Sequence, residues 1–180
     1  TRKLALSEAS TVLITDTVGF ISNLPHTLID AFKSTLEETS LADFLIIVVD
    51  ASDPDCEKQY AQVLKVLAEI NADKIPRTVV LNKYDRVEGN ILLESQLNNS
   101  FPGAIHASAK THDGFEDIIS VLTENLLGKL RHFRIPLAQA NLVELARKNG
   151  TIEKEEWLEE YAELEARIPG TFDNEGKAGT

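Results

Sequence analysis

Hydrophobic and polar residues alternate in blocks along this 180-residue chain, and the block lengths separate predicted strands from predicted helices. Short apolar runs, bounded by polar or turn residues, cover 11–15, 44–49, 78–81 and 104–107. Runs of this length are typical of strands, especially where they are rich in β-branched residues. We therefore predict four strands, and the unbroken run 44–49 predicts a strand that is covered on both faces.

Between these runs, apolar residues recur every three or four positions, which is the spacing of an amphipathic helix. This spacing predicts helices over 28–39, 54–70, 91–97 and 115–126. Strands that alternate with helices form βαβ units, whose crossovers are right-handed and whose sheet is mostly parallel. We therefore predict an α/β fold, in which ligands bind at the carboxyl ends of the strands.

The chain beyond Gly128 has a different pattern, which predicts a second and smaller region. A strand is predicted over 132–135 and a helix over 137–148. The apolar residues of 151–168 fit both a helical and an alternating spacing, and the glutamate-rich composition of this segment favours a helix. The glycine-rich end, 169–180, is predicted to be disordered.

Composition and charge narrow the range of functions. The chain has 29 acidic and 18 basic residues, a formal net charge of −11, and such a surface as a whole repels nucleic-acid backbones. Its longest apolar run, 44–49, is far shorter than the ~20 residues that cross a bilayer, so we expect no membrane span. The single cysteine excludes an intrachain disulfide and is compatible with a reducing compartment.

Three polar loops follow predicted strands, and each carries chemistry suited to one part of a nucleotide. The first loop is Asp16-Thr17-Val18-Gly19. An aspartate that leaves a strand can hold Mg²⁺ through water, and a glycine three residues later lets a backbone N–H approach a phosphate closely. Taken alone, this pattern also fits an ordinary turn.

The second loop is Asn82-Lys83-Tyr84-Asp85. A carboxylate has two acceptor oxygens in one plane, which match the N1–H and 2-amino donors of guanine and find no such donors on adenine. Lys83 can lay its aliphatic stem on the face of the base, and Asn82 can pin the neighbouring loops by hydrogen bonds. Taken alone, this motif also fits a solvated polar turn.

The third loop is Ser108-Ala109-Lys110. Its small alanine leaves an N–H free to reach the O6 atom of guanine, and its serine can stiffen the turn. All three loops would open on the same edge of the predicted parallel sheet. Their occurrence in this order, each after a predicted strand, is a much stronger signal than any one motif and predicts a guanine-nucleotide site.

Together the three loops resemble the G3, G4 and G5 elements of translational GTPases. The segments DTVGFISNLPHTLIDAFKSTLEET and LADFLIIVVDASDP more narrowly resemble the HflX family of ribosome-associated GTPases. The resemblance implies a partial P-loop GTPase domain over 1–128, with three layers and a mostly parallel sheet, and a small α+β carboxyl-terminal domain over 129–168. It also implies strands in the last part of the small domain, which leaves helix and strand equally open there.

The resemblance further implies GTP, GDP and Mg²⁺ as ligands, the large ribosomal subunit as a partner in the rescue or splitting of stalled ribosomes, and a cytoplasmic location. Asp16 would touch the magnesium shell through water, while Thr17, Val18 and Gly19 would lie at the phosphates, with Gly19 at the γ-phosphate. The residues that would bind guanine are Asn82, Lys83, Asp85, Ser108, Ala109 and Lys110.

Two departures from the GTPase pattern change these expectations. Phe20 stands where many GTPases place the glutamine that orients the attacking water, so no catalytic residue is predicted. The phosphate-loop pattern Gly-x-x-x-x-Gly-Lys-Ser/Thr does not occur in the chain. We expect a chain cut from a longer protein, which on its own hydrolyses GTP poorly or not at all. The alternative is a non-catalytic protein-interaction module descended from a GTPase.

Overall fold

A computed structural model of the chain describes residues 1–6, 10–16 and 39–168. The helix predicted over 28–39, apart from its last residue, and the tail predicted over 169–180 lie outside the described residues. Within the described part of the chain, no helix is long and apolar enough to cross a membrane.

The strands and α-helices, in chain order, are β1 (Arg2–Ala5), β2 (Thr11–Ile14), β3 (Leu45–Asp50), α1 (Cys56–Glu69), β4 (Arg77–Asn82), α2 (Ile91–Ser100), β5 (Ile105–His106), α3 (Phe115–Leu127), β6 (Leu130–Pro136), α4 (Asn141–Asn149), β7 (Thr151–Trp157) and β8 (Tyr161–Arg167). They follow one another in the predicted order, except for β1, which was not predicted, and for β7 and β8, which lie where a helix was favoured. The four strands predicted before Gly128, and the three helices predicted there among described residues, are all present.

The packing divides the chain into two compact units. One is Asp16–Ile118, and the other is Thr1–Thr15 together with Ile119–Thr180. The domain boundaries at 128 and 168 stay predictions, because compact packing does not test which part of a chain folds on its own.

Unit Asp16–Ile118 is built on a parallel sheet of three strands in the order β3-β4-β5. β3 and β4 pair from Leu45 opposite Arg77 to Asp50 opposite Asn82. Helix α1 connects β3 to β4, and α2 lies between β4 and β5, so both connections are βαβ crossovers. The predicted α/β class with a parallel sheet is confirmed.

One face of this parallel sheet carries the core of the unit. Ile47 and Val49 of β3 and Leu81 of β4 pack with Leu67 of α1 and Leu97 of α2, and all five are buried. Burial of an aliphatic side chain of this size contributes about 1.5–3 kcal/mol relative to exposure. The core therefore holds β3 and β4 firmly beneath the loops that leave their carboxyl ends.

The opposite face of β3 is open at its centre. Side chains alternate along a strand, so Val48 points away from Ile47 and Val49, and it is 63% exposed. The prediction that this strand is covered on both faces is therefore wrong at Val48. The apolar composition of 44–49 is typical of a strand buried on both faces. Composition alone does not show whether another element packs on the second face.

β1 and β2 form a separate antiparallel sheet of two strands, with Arg2 opposite Ile14 and Ala5 opposite Thr11. The prediction that the strand before Asp16 belongs to the parallel sheet is therefore wrong. Two strands that are close in sequence pair through a short connection, which costs less chain entropy than the long crossover of a parallel pair.

The unit that combines Thr1–Thr15 with Ile119–Thr180 contains this sheet and a second antiparallel sheet, of order β6-β8-β7. Helix α4 packs on one face of the second sheet. In the central strand, Ala162, Leu164 and Ala166 are almost completely buried. Burial at every second residue is the mark of a strand. The alternating interpretation of 151–168 is therefore correct, and the helix that its glutamate content favoured is wrong.

Glu163 and Glu165 lie between these buried positions and point to the opposite face of the small sheet, where they meet basic side chains of β6. Arg134 Nε lies 4.0 Å from Glu163 Oε1, and His132 Nδ1 lies 3.8 Å from Glu165 Oε1. Arg134 also lies 3.5 Å above the ring centroid of Tyr161. Cross-strand pairs of opposite charge, such as Arg134 with Glu163, stabilise a strand and oppose the helical preference of glutamate.

Candidate functional site

The candidate site lies at the carboxyl ends of β4 and β5, where two of the three predicted loops meet. Tyr84 N donates to the carbonyl oxygen of Ala107 at 3.0 Å, and Ala107 N donates to that of Leu81 at 3.0 Å. These backbone bonds continue the β4–β5 pairing past the end of the sheet. The two loops are therefore fixed side by side.

Asn82 joins the two loops through its side chain. Its Oδ1 accepts a hydrogen bond from Ala109 N at 3.0 Å, which is the pinning role expected of this asparagine. The same bond occupies the N–H of Ala109, so the prediction that this N–H is free for guanine O6 is wrong in this structure. The amide oxygen of Asn82 is an acceptor within reach, and a base would have to displace it.

Asp85 is held by the Ser108–Lys110 loop. Ser108 Oγ donates to Asp85 Oδ1 at 2.7 Å, and Lys110 Nζ lies 3.8 Å from Asp85 Oδ2. Ser108 is buried, whereas the side chain of Lys110 is 83% exposed. The serine therefore fixes one carboxylate oxygen, and the flexible lysine can leave the other oxygen to a ligand.

The loop that follows β5 turns tightly around Ser108. Its Oγ accepts hydrogen bonds from Lys110 N at 3.3 Å and from Thr111 N at 3.2 Å. The turn then passes close to the strand at Gly114, whose φ is +76° and where a Cβ would lie 2.0 Å from the carbonyl oxygen of His106. Only glycine fits there, since both the conformation and the space exclude a side chain.

Lys83 has an unusual backbone and a partner that the motif did not predict. Its φ of +60° lies in the left-handed region, which is uncommon for a residue other than glycine. Lys83 Nζ donates to Asp50 Oδ2 at 2.5 Å. The other oxygen of Asp50 accepts hydrogen bonds from Ser52 N at 3.0 Å and from Ser52 Oγ at 2.7 Å.

These contacts keep the Asp50 carboxylate charged. Burial on its own raises the pKa of Asp50, but the hydrogen bonds from Lys83 and Ser52 outweigh it and hold that pKa below its usual value. Asp50 was not predicted to be a site residue, although its position in the sequence carries a signal. Asp50 follows the run 44–49 as Asn82 follows 78–81, so both lie at the same edge of the parallel sheet.

A stack of two rings supports the same loops from β5. The rings of Tyr84 and His106 lie 3.9 Å apart between centroids and 8° from parallel. His106 Nε2 lies 2.9 Å from Asn98 Oδ1 of α2. Burial, together with the charges of Glu94 and Glu88, raises the pKa of Tyr84. No sequence motif marks this stack, and it was not predicted.

The first predicted loop is not brought into this site by the described residues. Asp16 is exposed and follows β2, which belongs to the separate hairpin sheet, while Thr17, Val18 and Gly19 lie outside the described residues. In the described ranges, no group of three or more His, Cys, Asp or Glu side chains could hold a metal ion. One carboxylate does not make a magnesium site, so the role of Asp16 stays a prediction.

Comparison with known proteins finds close relatives with one name. The chain is 45% identical over 179 residues to GTPase HflX of Akkermansia muciniphila, and this alignment covers 97% of this chain and 41% of the relative. It is 35% identical over 172 residues to GTPase HflX of Escherichia coli K12, with 93% and 40% covered. The chain thus spans about two fifths of the length of these curated relatives. No family model matches it.

Solved structures give a likeness of the fold. A GTP-binding protein from the archaeon Sulfolobus solfataricus, in complex with GDP, is 25% identical with a TM-score of 0.56, covering 69% of this chain and 43% of that one. A structure described as a complex of SsGBP and GDP is 26% identical with a TM-score of 0.56, covering 68% and 40%.

Proposed function

Because this chain belongs to the HflX family of GTPases, we propose that it carries the guanine-recognition part of a protein that binds and hydrolyses GTP. The observation that carries the proposal is the joining of two loops at the ends of β4 and β5. Asn82 holds Ala109, and Ser108 holds the carboxylate of Asp85. The two carboxylate oxygens of Asp85 are acceptors near the carboxyl ends of parallel strands, and parallel sheets bind their ligands at these ends.

Recognition of guanine would rest on Asp85. With Oδ1 oriented by Ser108, the carboxylate plane is set before a base arrives, and its oxygens can take the N1–H and 2-amino donors of guanine. An adenine would leave the carboxylate without those donors, which is the kind of mismatch that lowers affinity by roughly 10⁴-fold. Lys110 would swing from Asp85 into solvent to make room.

The phosphate side of the site rests on fewer observations. We propose GTP and GDP as ligands, with Mg²⁺ held near Asp16 through water and the phosphates near Thr17, Val18 and Gly19. The chain contains no phosphate-loop pattern, and such loops supply many of the backbone N–H groups that hold the phosphates. We therefore propose that hydrolysis belongs to the intact protein and that the 180-residue chain alone turns over GTP poorly.

The resemblance of 16–39 and 41–54 to ribosome-associated GTPases supports a further part of the proposal, association with the large ribosomal subunit in the cytoplasm. Cosedimentation with purified large subunits, in the presence of GDP or a non-hydrolysable GTP analogue, tests it. Absence of the protein from the pellet of large subunits with either nucleotide would contradict this part.

A titration with fluorescent GDP tests the nucleotide part. It compares the 180-residue chain with a fusion in which the segment of the Akkermansia muciniphila relative that precedes the aligned region is joined to Thr1. We expect the fusion to bind GDP, with unlabelled GDP as a strong competitor and ADP as a very weak one. Inosine diphosphate, which lacks the 2-amino group, should compete less well than GDP.

A second candidate function is a non-catalytic protein-interaction module descended from a GTPase. The same titration separates the two candidates. Binding by neither protein would contradict the nucleotide proposal and support the interaction module. Loss of base discrimination in Asp85→Asn of the fusion would support the nucleotide proposal and identify the reading group.

A further inference from the structure

We propose that Asp50 is a positioning residue for the nucleotide base, because it anchors the ammonium group of Lys83 and so fixes where the lysine stem lies. The inference rests on the proposed function, since it assigns a partner to a residue of the guanine loop. Neither the guanine motif nor any of the three predicted loops contains Asp50.

The contacts of Asp50 divide its two oxygens between two tasks. Oδ1 accepts both the N–H and the O–H of Ser52, which fixes the plane of the carboxylate. Oδ2 is then left to receive Lys83 Nζ at 2.5 Å. Because Asp50 lies directly opposite Asn82 in the β3–β4 pairing, the anchor stands on the strand next to the guanine loop.

A lysine needs such an anchor if its stem is to serve as a surface for a base. The side chain is a flexible chain of four carbons, and an unheld lysine loses its rotamer freedom only when the ligand arrives. Here the left-handed backbone fixes where the side chain begins, and Asp50 fixes where it ends. The stem is therefore ordered in advance, which raises affinity by lowering the ordering cost of binding.

The exposure of this pair separates a positioning role from a stabilising one. The side chains of Lys83 and Asp50 are 45% and 31% exposed, and ion pairs so open to water contribute little to stability. We therefore expect Asp50→Asn to change the melting temperature little. The same substitution removes the charge that holds Lys83, so its effect should be seen in nucleotide affinity.

A double-mutant cycle tests the inference. The dissociation constant for fluorescent GDP is measured for Asp50→Asn, Lys83→Ala and the double variant, in whichever of the 180-residue chain and the fusion binds GDP. We expect Asp50→Asn to weaken binding about tenfold, and to weaken it no further once Lys83 is alanine. Preference for GDP over ADP should be unchanged, because Asp85 reads the base.

Asp55→Asn provides the matched control. Asp55 also pairs with a lysine at short distance, Lys58 at 2.6 Å, but it lies in the turn before α1, where its hydrogen bonds join it to Asp53, Lys58 and Gln59. It should leave GDP affinity unchanged. An equal loss from Asp50→Asn with and without Lys83 would overturn the inference alone, because Asp50 would then act without the lysine. Failure of both unsubstituted proteins to bind GDP would overturn the proposed function and this inference together.

Discussion

Replacement of Ser108 by alanine isolates one buried hydrogen bond that shapes the candidate site. In the wild-type chain, Ser108 Oγ donates to Asp85 Oδ1 at 2.7 Å, and Ser108 is 1% exposed. A hydrogen bond to a charged group contributes about 1.5–3 kcal/mol, and its loss leaves a largely buried carboxylate short of a partner. The amides of Lys110 and Thr111 lose an acceptor as well.

We therefore expect Ser108→Ala to lower the free energy of unfolding by about 2–3 kcal/mol. In a chain of this size such a loss lowers the melting temperature by roughly 4–12 °C. Urea denaturation followed by circular dichroism measures the first quantity, and calorimetry measures the second. Amide hydrogen exchange should also accelerate at Lys110 and Thr111, because both N–H groups lose the oxygen that accepts them.

Ser100→Ala is the matched control for this prediction. Ser100 Oγ donates to Glu57 Oε1 at the same distance, 2.7 Å, but both residues are on the surface. Water can replace the lost hydroxyl there, so the variant should unfold almost as the wild type does. Equal losses in the two variants would refute the reasoning, because burial would then not decide the strength of these bonds.

Three other predictions concern the frame around the site and the small sheet. Gly114→Ala should destabilise the chain by about 3 kcal/mol or more, seen in urea denaturation, because its Cβ would meet the carbonyl oxygen of His106 at 2.0 Å in a left-handed backbone. Leu164→Ala should lower stability by about 2–5 kcal/mol, whereas an effect near zero would contradict its place in the core of the small sheet. Hydrogen bonds from Arg147 and Trp157 hold the pKa of Glu155 below its ordinary value of 4.5, so their contribution is complete above that value and is lost as the pH falls through the lower value in the folded state. Acid titration of stability should therefore be less steep in Glu155→Gln than in the wild type, and identical curves would contradict this contact.

The loops at the ends of β4 and β5 could be predicted because their signals are local. Each loop follows a short apolar run that predicts a strand. The side chains of a motif such as 82–85 indicate by themselves which groups of a ligand they can bind. The partners of those motifs are not local. Lys83 meets Asp50 across 33 residues, and Ala109 meets Asn82 across 27. Only the pairing of the strands decides which polar ends become neighbours.

The pairing of β2 with β1 is a second example of a contact that the local sequence does not specify. The run 11–15 was correctly predicted to be a strand, since its side chains state a preference for extended backbone. Nothing in those five residues states which strand lies beside them. In the structure, β2 pairs with β1, which is the nearest strand in sequence. The loop at Asp16 therefore does not leave the parallel sheet from which the other two loops leave.

The alternation in β8 also has a consequence for how the small sheet folds. A slip of one residue against its neighbours would turn Glu163 and Glu165 towards α4 and would carry Leu164 to the other face. Two carboxylates would then be buried away from Arg134 and His132, at a cost of several kcal/mol for each charge. We therefore expect misregistered intermediates to be poorly populated during folding. In the sequence, the pattern of this segment fits both a helix and a strand. In the folding chain, the same pattern favours a single register of the strands.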